Sequence, residues 1–235
     1  EVAAVPQRTD AGFDVPWRGQ RLAVPQPGAH NALDALLAAE LCAQLGYAPS
    51  DIVAALGRFG GIQRRLERVD QNGPVRVVDD YGHNPAKLTA AWEAVRAPGH
   101  RVLGVWRPHG YGPLRLMLAP LADALATVWR PGDKLWVLPV YDAGGTADRS
   151  IQSDALVAAV RARGVDVELA DSYDALGTAM LQAVCSGDTL LIMGARDPHL
   201  PVFAREMATR TASLPSLPGT DSTSPGAGVR VGFGP

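Results

Sequence analysis

A short run at residues 77–87, VVDDYGHNPAK, brings together side chains that could do chemistry. Asp79 and Asp80 end an apolar segment of β type, and Tyr81 and His83 follow at once. Carboxylates accept hydrogen bonds, a phenol donates or accepts them, and an imidazole can take or give a proton near neutral pH. Ligands of open α/β sheets bind just outside the carboxyl ends of strands, so this run predicts part of a binding cleft.

A helix is expected to start directly behind this run. Asn84 suits the N-cap position, and Pro85 suits the first helical position because proline has no N–H to leave unpaired. From residue 75 onward, strand-type and helix-type segments alternate. Strands are expected at residues 75–80, 101–106, 134–139, 165–169 and 189–193, and helices at residues 86–96, 114–127, 154–163, 173–185 and 201–209. This alternation predicts an α/β fold with a Rossmann-like, doubly wound, mostly parallel sheet.

Small and polar residues also follow other expected strands. The runs are RPHGYG at residues 107–112, YDAGG at residues 141–145 and GARD at residues 194–197. A single glycine after a strand usually marks only a turn. Together with residues 79–84 these runs make four such ends, and four on one rim of a sheet predict a cleft.

The first part of the chain shows weaker periodicity. A short hairpin is expected around Gly19, and residues 1–27 are interpreted as the trailing edge of a domain. Helices are expected at residues 30–45 and at about 51–59, the second with Ser50 as its N-cap. An apolar stripe that is expected to be buried runs along the first helix: Leu33, Leu36, Leu37, Leu41 and Cys42.

A domain boundary is placed at Gly60-Gly61, which is followed by a basic run. Residues 1–60 then form one unit, residues 61–210 a second, and residues 211–235, rich in Ser, Pro, Gly and Thr, a disordered tail. Arg64 and Arg68 in the basic run are interpreted as a solvated face.

Composition restricts the function classes. The net charge of −2 gives no global field for nucleic acid or an anionic membrane, so neither is expected as a partner. Cys42 and Cys185 are interpreted as buried free thiols of a cytoplasmic protein. The sequence holds no GxxxxGKS/T run, no GxGxxG after the first expected strand of the sheet and no GxSxG, and its histidines lack the close spacing of a zinc site, so no metal ligand is predicted.

Five segments occur in the order and spacing of a known family. They are PGAHNALDALLAAELCAQLG from residue 27, FGGIQRRLERV from residue 59, VVDDYGHNPAKL from residue 77, VLGVWRPHGYGPLRLM from residue 102 and LLIMGARD from residue 190. Over about residues 13–209 the chain resembles the C-terminal portion of the Mur ligase family, particularly the branch that adds L-alanine to UDP-N-acetylmuramate. By this resemblance residues 1–60 are the C-terminal remnant of a central ATP-binding domain, and residues 61–210 are the C-terminal domain.

The resemblance implies an ATP-dependent ligase that forms an amide bond. In such enzymes ATP phosphorylates the carboxylate of a UDP-sugar acceptor of the UDP-N-acetylmuramate type, and the amine of an amino acid then attacks the acyl phosphate. The step belongs to peptidoglycan precursor synthesis in the cytoplasm. ATP and Mg²⁺ are the implied cofactors, held mainly by the rest of the central domain, and this chain alone is expected to be inactive.

The resemblance also assigns roles to single residues. Asn31 is expected to hydrogen-bond the adenine, since an amide both donates and accepts. Arg65 is expected to reach the phosphates or the ribose, and Asp80 to hold the ribose.

A second group is expected around the amino acid. His83 and His109 are the candidate catalytic groups, and Tyr81, Asn84 and Arg115 are the candidate substrate-binding residues. These residues follow the first two strands of the expected sheet, and the ends of adjacent parallel strands would share one crevice.

The chain departs from the family at several positions. Gly110 and Pro113 stand where the family carries arginines, and only Arg115 remains of that set. Weak use of L-alanine is therefore expected. Arg196 replaces a glycine; it either restores a positive charge to the site or is only solvated.

Two other functions stay open. The HNP run at residues 83–85 also resembles folylpolyglutamate-type ligases, and a non-catalytic, free-standing binding domain would need none of the absent parts. Asp80 as a capping residue and Asn31 as an ordinary helix-start residue are the structural alternatives to their ligand roles.

Overall fold

A computed structural model describes residues 5–9, 12–142, 144 and 146–215. The strands are β1 (Gln7–Thr9), β2 (Gly12–Trp17), β3 (Gln20–Val24), β4 (Glu67–Arg68), β5 (Arg76–Asp80), β6 (Val102–Arg107), β7 (Lys134–Val137), β8 (Val167–Leu169) and β9 (Thr189–Gly194). The helices are α1 (Ala29–Gln44), α2 (Pro49–Gly57), α3 (Pro85–Val95), α4 (Tyr111–Val128), α5 (Ser153–Arg161), α6 (Tyr173–Ala183) and α7 (Leu200–Thr211).

The second part of the chain forms a six-stranded sheet in the order β4-β5-β9-β6-β7-β8. All its pairings are parallel except that of the short edge strand β4 with β5. One hydrophobic core contains side chains of α3, α4 and α5, and the other contains side chains of α6 and α7. Helices thus cover both faces, which confirms the predicted doubly wound α/β fold.

The central strands are buried along most of their length. Every residue of β9 is buried, as apolar runs between two helical layers require. Gly104 in β6 makes room for Trp92 of α3, because a Cβ built at Gly104 would lie 2.2 Å from the indole Cζ3. The indole Nε1 donates to Asp133 at 3.2 Å, so this fully buried ring has a polar partner.

The first part of the chain forms an antiparallel sheet, β1-β2-β3, with α1 and α2 against it. The hairpin expected at Gly19 is present, with Trp17 paired to Gln20 across a turn in which Arg18 and Gly19 have φ angles of 46° and 74°. Positive φ at both central residues matches the right-handed twist of a hairpin. A small core of its own holds this part together.

Three expectations about burial and helix capping are wrong. Leu33, Leu37 and Leu41 are 50%, 69% and 59% exposed, whereas the smaller Ala32 and Ala39 face the hairpin. Helix α2 begins at Pro49 behind Ala48, so Ser50 lies inside the first turn and is not the N-cap. The free cysteines are half-buried at Cys42 and exposed at Cys185, which follows the end of α6.

The other boundaries differ from expectation by a few residues. The largest shift is in α4, which begins at Tyr111 instead of residue 114 because Gly110, at φ 77°, forms its N-cap. The chain is still helical up to Thr211, and the rest of the expected tail, residues 216–235, lies outside the described residues. The boundary at Gly60-Gly61 stays a prediction. Within the described ranges, no helix is long and apolar enough to cross a membrane.

Candidate functional site

The carboxyl ends of β5, β9 and β6 build the candidate site. The expectation that β5 and β6 are adjacent is wrong, because β9 lies between them and pairs with both. Met193 of β9 is level with Asp80 on one side and with Trp106 on the other. The segment after Gly194 therefore enters the middle of the crevice.

Two histidines expected at the site meet there in spite of the intervening strand. The rings of His83 and His109 lie edge to face with 5.4 Å between centroids, and Tyr81 lies 5.7 Å from His83 on the other side. His83 Nδ1 is 3.0 Å from the carbonyl oxygen of Tyr81. A carbonyl can only accept, so Nδ1 carries a proton, and in the neutral ring Nε2 then keeps the lone pair.

The environment of His109 favours its neutral form. Burial lowers the pKa of His109, and the nearby His83 and the guanidinium of Arg196 lower it further. Its backbone is fixed by a bridge to Tyr141 and by the Gly110 amide, which donates to the Tyr141 carbonyl at 3.0 Å. The geometry thus holds an imidazole that can accept a proton at neutral pH.

Arg196, for which the sequence left two roles open, lies near His109, since its charge contributes to the lowered pKa of that ring. It is exposed, with a φ of 65°, directly behind the central strand. The next residue, Asp197, is fully buried as a side chain and binds Arg107, the Tyr173 hydroxyl at 2.5 Å and the His199 amide at 2.9 Å. Burial alone would raise the pKa of Asp197, but these donors together lower it. This network holds the turn that carries Arg196.

Asp80 is tied into the backbone. Its Oδ2 accepts from the Leu66 amide at 2.9 Å, and its Oδ1 accepts from the Gly82 amide at 2.7 Å. The capping interpretation is therefore part of its role. Each carboxylate oxygen can accept a second hydrogen bond, so a ligand hydroxyl could still be bound.

Arg64 has a structural role, and its interpretation as a solvated residue is wrong. Its side chain is 17% exposed and pairs at 3.2 Å with Asp79, whose side chain is 0% exposed. Its Nη2 also donates to the Gly194 carbonyl at 2.6 Å. Burial raises the pKa of Asp79, and the guanidinium opposes that effect. Residues 58–66, which connect α2 to β4, are called the crossing segment, and the pair fastens this segment to β5 and β9. Arg68, by contrast, is half-exposed and pairs with Asp70.

A cavity of about 660 Å³ lies between the first part of the chain and the large sheet. Asn31, Arg65 and Asp80 all line it, together with Lys87 and apolar side chains that include Phe59. The three residues expected to hold a nucleotide are thus brought together, although they are far apart in sequence. Asn31 Nδ2 donates to the Pro27 carbonyl at 2.6 Å, which leaves its amide oxygen as an acceptor.

The chemistry of this lining fits the adenosine part of ATP. Apolar walls suit a base, an amide suits its edge, a carboxylate suits ribose hydroxyls, and Arg65 and Lys87 suit a phosphate. The lining does not fit Mg²⁺, because the described residues contain no group of three His, Cys, Asp or Glu side chains that could hold a metal ion.

The remaining expected residues lie at helix starts. The Asn84 side-chain oxygen accepts from the Lys87 amide at 3.0 Å, so Asn84 caps α3, as predicted. Its NH₂ group stays available to a substrate. Arg115, in the first turns of α4, is directed to another loop, where it bonds Asp148 at 2.8 Å and the Ser150 hydroxyl at 2.9 Å.

Comparisons with known proteins agree with this architecture. Residues 64–196 match the family model described as "Mur ligase, glutamate ligase domain". The UDP-N-acetylmuramate–L-alanine ligase of Brucella ovis is 34% identical over 211 residues, which are 83% of this chain and 44% of that protein. The ligase of the same name from Methylobacterium nodulans is 36% identical over 176 residues, 74% of this chain and 36% of that protein.

Solved structures share the fold. The UDP-N-acetylmuramate-alanine ligase MurC of Thermotoga maritima has a TM-score of 0.69 at 20% identity, over 88% of this chain and 44% of that one. A folylpolyglutamate synthase of Mycobacterium tuberculosis has a TM-score of 0.58 at 21% identity, over 88% of this chain and 46% of that one.

The chain spans less than half the length of these relatives. The matched residues include β5, β6 and the β9 end, and so every strand end of the candidate site. The chain therefore belongs to the Mur ligase family.

Proposed function

We propose that this chain is part of an ATP-dependent ligase that joins an amino acid to the carboxylate of a UDP-N-acetylmuramate-type acceptor through an acyl phosphate, in cytoplasmic peptidoglycan precursor synthesis. The observation that carries the proposal is the direct connection between two binding regions. Asp80 lines the nucleotide cavity, and the next residue, Tyr81, lies against the histidine pair.

The nucleotide cavity would bind the adenosine part of ATP. Asn31 would read the base edge through its free amide oxygen, Asp80 would accept from a ribose hydroxyl, and Arg65 would bind phosphate oxygens. Arg65 is exposed and stacks over Tyr81 at 5.6 Å, so its guanidinium can move with little loss of packing. ATP, when bound, supplies the phosphoryl group that activates the acceptor carboxylate.

The histidine pair would serve the incoming amine. An amine attacks as the neutral form and loses a proton when the amide forms. In the neutral tautomer that places the proton on Nδ1, facing a carbonyl, His83 Nε2 carries the lone pair, and burial lowers the pKa of His109. One of these rings would take the proton of the amine while phosphate leaves the acyl carbon.

The amino-acid carboxylate needs a cation, and this chain offers a different set from its relatives. Gly110 and Pro113 stand where the family carries arginines, and Arg115 is engaged with Asp148 in an exposed pair of small energetic value. We propose that L-alanine is a weak substrate and that Arg115 binds the carboxylate of a preferred amino acid.

The test uses the intact ligase that contains this chain, with ATP, UDP-N-acetylmuramate and each of the common amino acids, and detects the amide product by mass spectrometry. ATP-dependent amide formation is expected, with poor yield from L-alanine. Arg65→Ala should lower kcat without a change in melting temperature. The interaction free energy lost with one charge-assisted contact is about 1.5–3 kcal/mol. No amide product with any amino acid would refute the ligase, and efficient, exclusive use of L-alanine would refute the altered pocket.

A further inference from the structure

A second cavity, of about 910 Å³, lies on the other side of the crossing segment. It is bounded by β1 and β2 of the first part and by β5 and the end of α3 of the large sheet. Its lining includes Arg8, Arg65, Arg68 and Arg76, and among its described lining residues Glu67 alone is acidic. We call it the arginine cavity.

Among the described residues, three of these four arginines, Arg8, Arg65 and Arg76, have no carboxylate partner. Arg68 pairs with Asp70 at 2.8 Å, and Glu67 accepts from the Arg64 amide at 2.8 Å. Within residues 5–9, 12–142, 144 and 146–215, neither Arg8 nor Arg76 has a carboxylate at ion-pair distance. The cavity therefore carries an excess of positive charge.

The environment of Arg76 reflects this excess. Burial lowers its pKa, and repulsion by Arg68 and Arg8 adds to the effect, against a smaller attraction by Asp70. Asp70 is already bound by Arg68 and by the Val77 amide at 2.9 Å, so its charge is shared. A half-buried guanidinium beside like charges is costly unless an anion joins it.

Contacts with the carboxyl end of α3 neutralise only part of the charge of Arg8 and Arg76. Arg8 Nη2 donates to the Arg96 carbonyl at 2.7 Å, and Arg76 Nη1 approaches the Val95 carbonyl at 3.3 Å. The carboxyl end of a helix carries only about half an elementary negative charge. Each guanidinium has further N–H donors beyond the single one used here. Two cations thus exceed what the helix end neutralises.

We propose that the arginine cavity binds a small phosphoryl anion, held between Arg8 of β1 and Arg76 of β5. Guanidinium groups bind phosphate oxygens through paired, charge-assisted hydrogen bonds. The anion would connect the first part of the chain to the large sheet beside the crossing at Gly60 and Gly61, which also line the cavity. Arg8 and Arg76 do not line the nucleotide cavity, although the two cavities share Gly61 and Arg65. The existence of the phosphoryl site does not depend on the ligase activity.

The test is a titration of the isotope-labelled chain with inorganic phosphate at constant ionic strength kept with chloride, followed by NMR. Saturable shifts are expected at Arg76, Ala97 and the crossing, with a rise in melting temperature because the anion binds only the folded state. Adenosine monophosphate in a parallel titration separates the sources: the same shifts indicate a nucleotide phosphate, and their absence indicates free phosphate. Either result supports a phosphoryl site.

Variants test whether phosphate binds in the arginine cavity. Arg76→Gln should weaken phosphate binding by about tenfold or more, as expected for one lost charge-assisted contact. Arg8→Gln should do the same, and because Arg8 is exposed on an edge strand, this variant keeps the test valid if Arg76→Gln unfolds. Arg210→Gln removes the same charge from an exposed position of α7 and should change nothing. Linear shifts spread over the surface, or equal effects of all three variants, would overturn the proposal.

Discussion

At the scale of single residues, the site depends on groups whose charge is set by burial. His109 is half-buried beside His83 and Arg196, which keeps its pKa below the ordinary histidine value. Burial raises the pKa of the fully buried Asp79, and the guanidinium of Arg64, which lies against it, opposes that rise. Both effects can be measured in this chain without substrate.

The pKa of His109 predicts a pH dependence of stability. Because the folded-state pKa is lowered, the unfolded chain binds the proton more readily. The contribution of His109 is therefore complete above the unfolded value of about 6.5 and is lost as the pH falls through that value toward the folded pKa. We expect His109→Gln to lose less stability than the wild type between pH 7.5 and 5.5, as measured by urea unfolding.

His100→Gln is the control for that experiment, since it removes an imidazole from an exposed position. Its pH dependence should match that of the wild type. An unchanged pH dependence in His109→Gln would show that the ring is not shielded as the structure indicates.

The Arg64–Asp79 pair predicts a large loss of stability. Arg64→Gln leaves a carboxylate with a 0% exposed side chain unpaired, and breaking such a buried pair costs about 3–5 kcal/mol. Adding Asp79→Asn should restore part of the loss because no buried charge remains. Chemical denaturation of both single variants and the double variant measures this coupling; strictly additive losses would contradict it.

At the scale of elements, helix starts place the crevice residues. Helix α3 begins at the Asn84 cap directly behind His83, and α4 begins at Gly110 directly behind His109. The amino ends of both helices therefore point toward the crevice. Such ends attract negative charge through the helix dipole, which suits a site for carboxylate and phosphate groups.

The Asn84 cap of α3 gives a prediction about the stability of the folded chain. Asn84→Ala should destabilise the chain by about 1 kcal/mol, whereas Asn84→Asp, which can still accept from the Lys87 amide, should stay near the wild type. Thermal unfolding measures both. If Asn84→Ala and the wild type melted together, the side chain would not act as the cap.

At the scale of the whole molecule, the two cavities lie where the first part of the chain meets the large sheet. Gly61 and Arg65 line both cavities, so a movement of the crossing segment would change the shape of both. Gly61 has a φ of 87°, a conformation that glycine adopts without strain. The crossing thus combines backbone freedom with the fixed Arg64 anchor beside it.

The lack of a phosphate-binding loop motif in this sequence leads to a prediction for the chain alone. No GxxxxGKS/T run occurs in its sequence, so we expect this chain to bind adenine nucleotides weakly and not to hydrolyse ATP. Phosphate release from ATP by the purified chain is the measurement, with Arg65→Ala as the matched variant. Release that is above background and sensitive to Arg65→Ala would contradict the expectation.

Much of the architecture could be predicted because it depends on neighbours in sequence. Alternation of apolar strands with amphipathic helices identified the doubly wound sheet, and Asn84-Pro85 identified the start of α3. The family motifs at residues 77–88 and 102–117 named both histidines of the pair. Backbone preferences, caps and periodicity act over a few residues, so they can be read without a structure.

Strand order, burial and long-range pairing were decided only by the tertiary structure. No local signal inserts β9 between β5 and β6, because either order leaves the apolar runs buried. Arg64 looks like a solvated arginine until its donors reach Asp79 and Gly194, the latter 130 residues away. The leucines of α1 are exposed because small alanines face the hairpin. These features depend on which distant surfaces meet, and that choice is made by the packing of the whole chain.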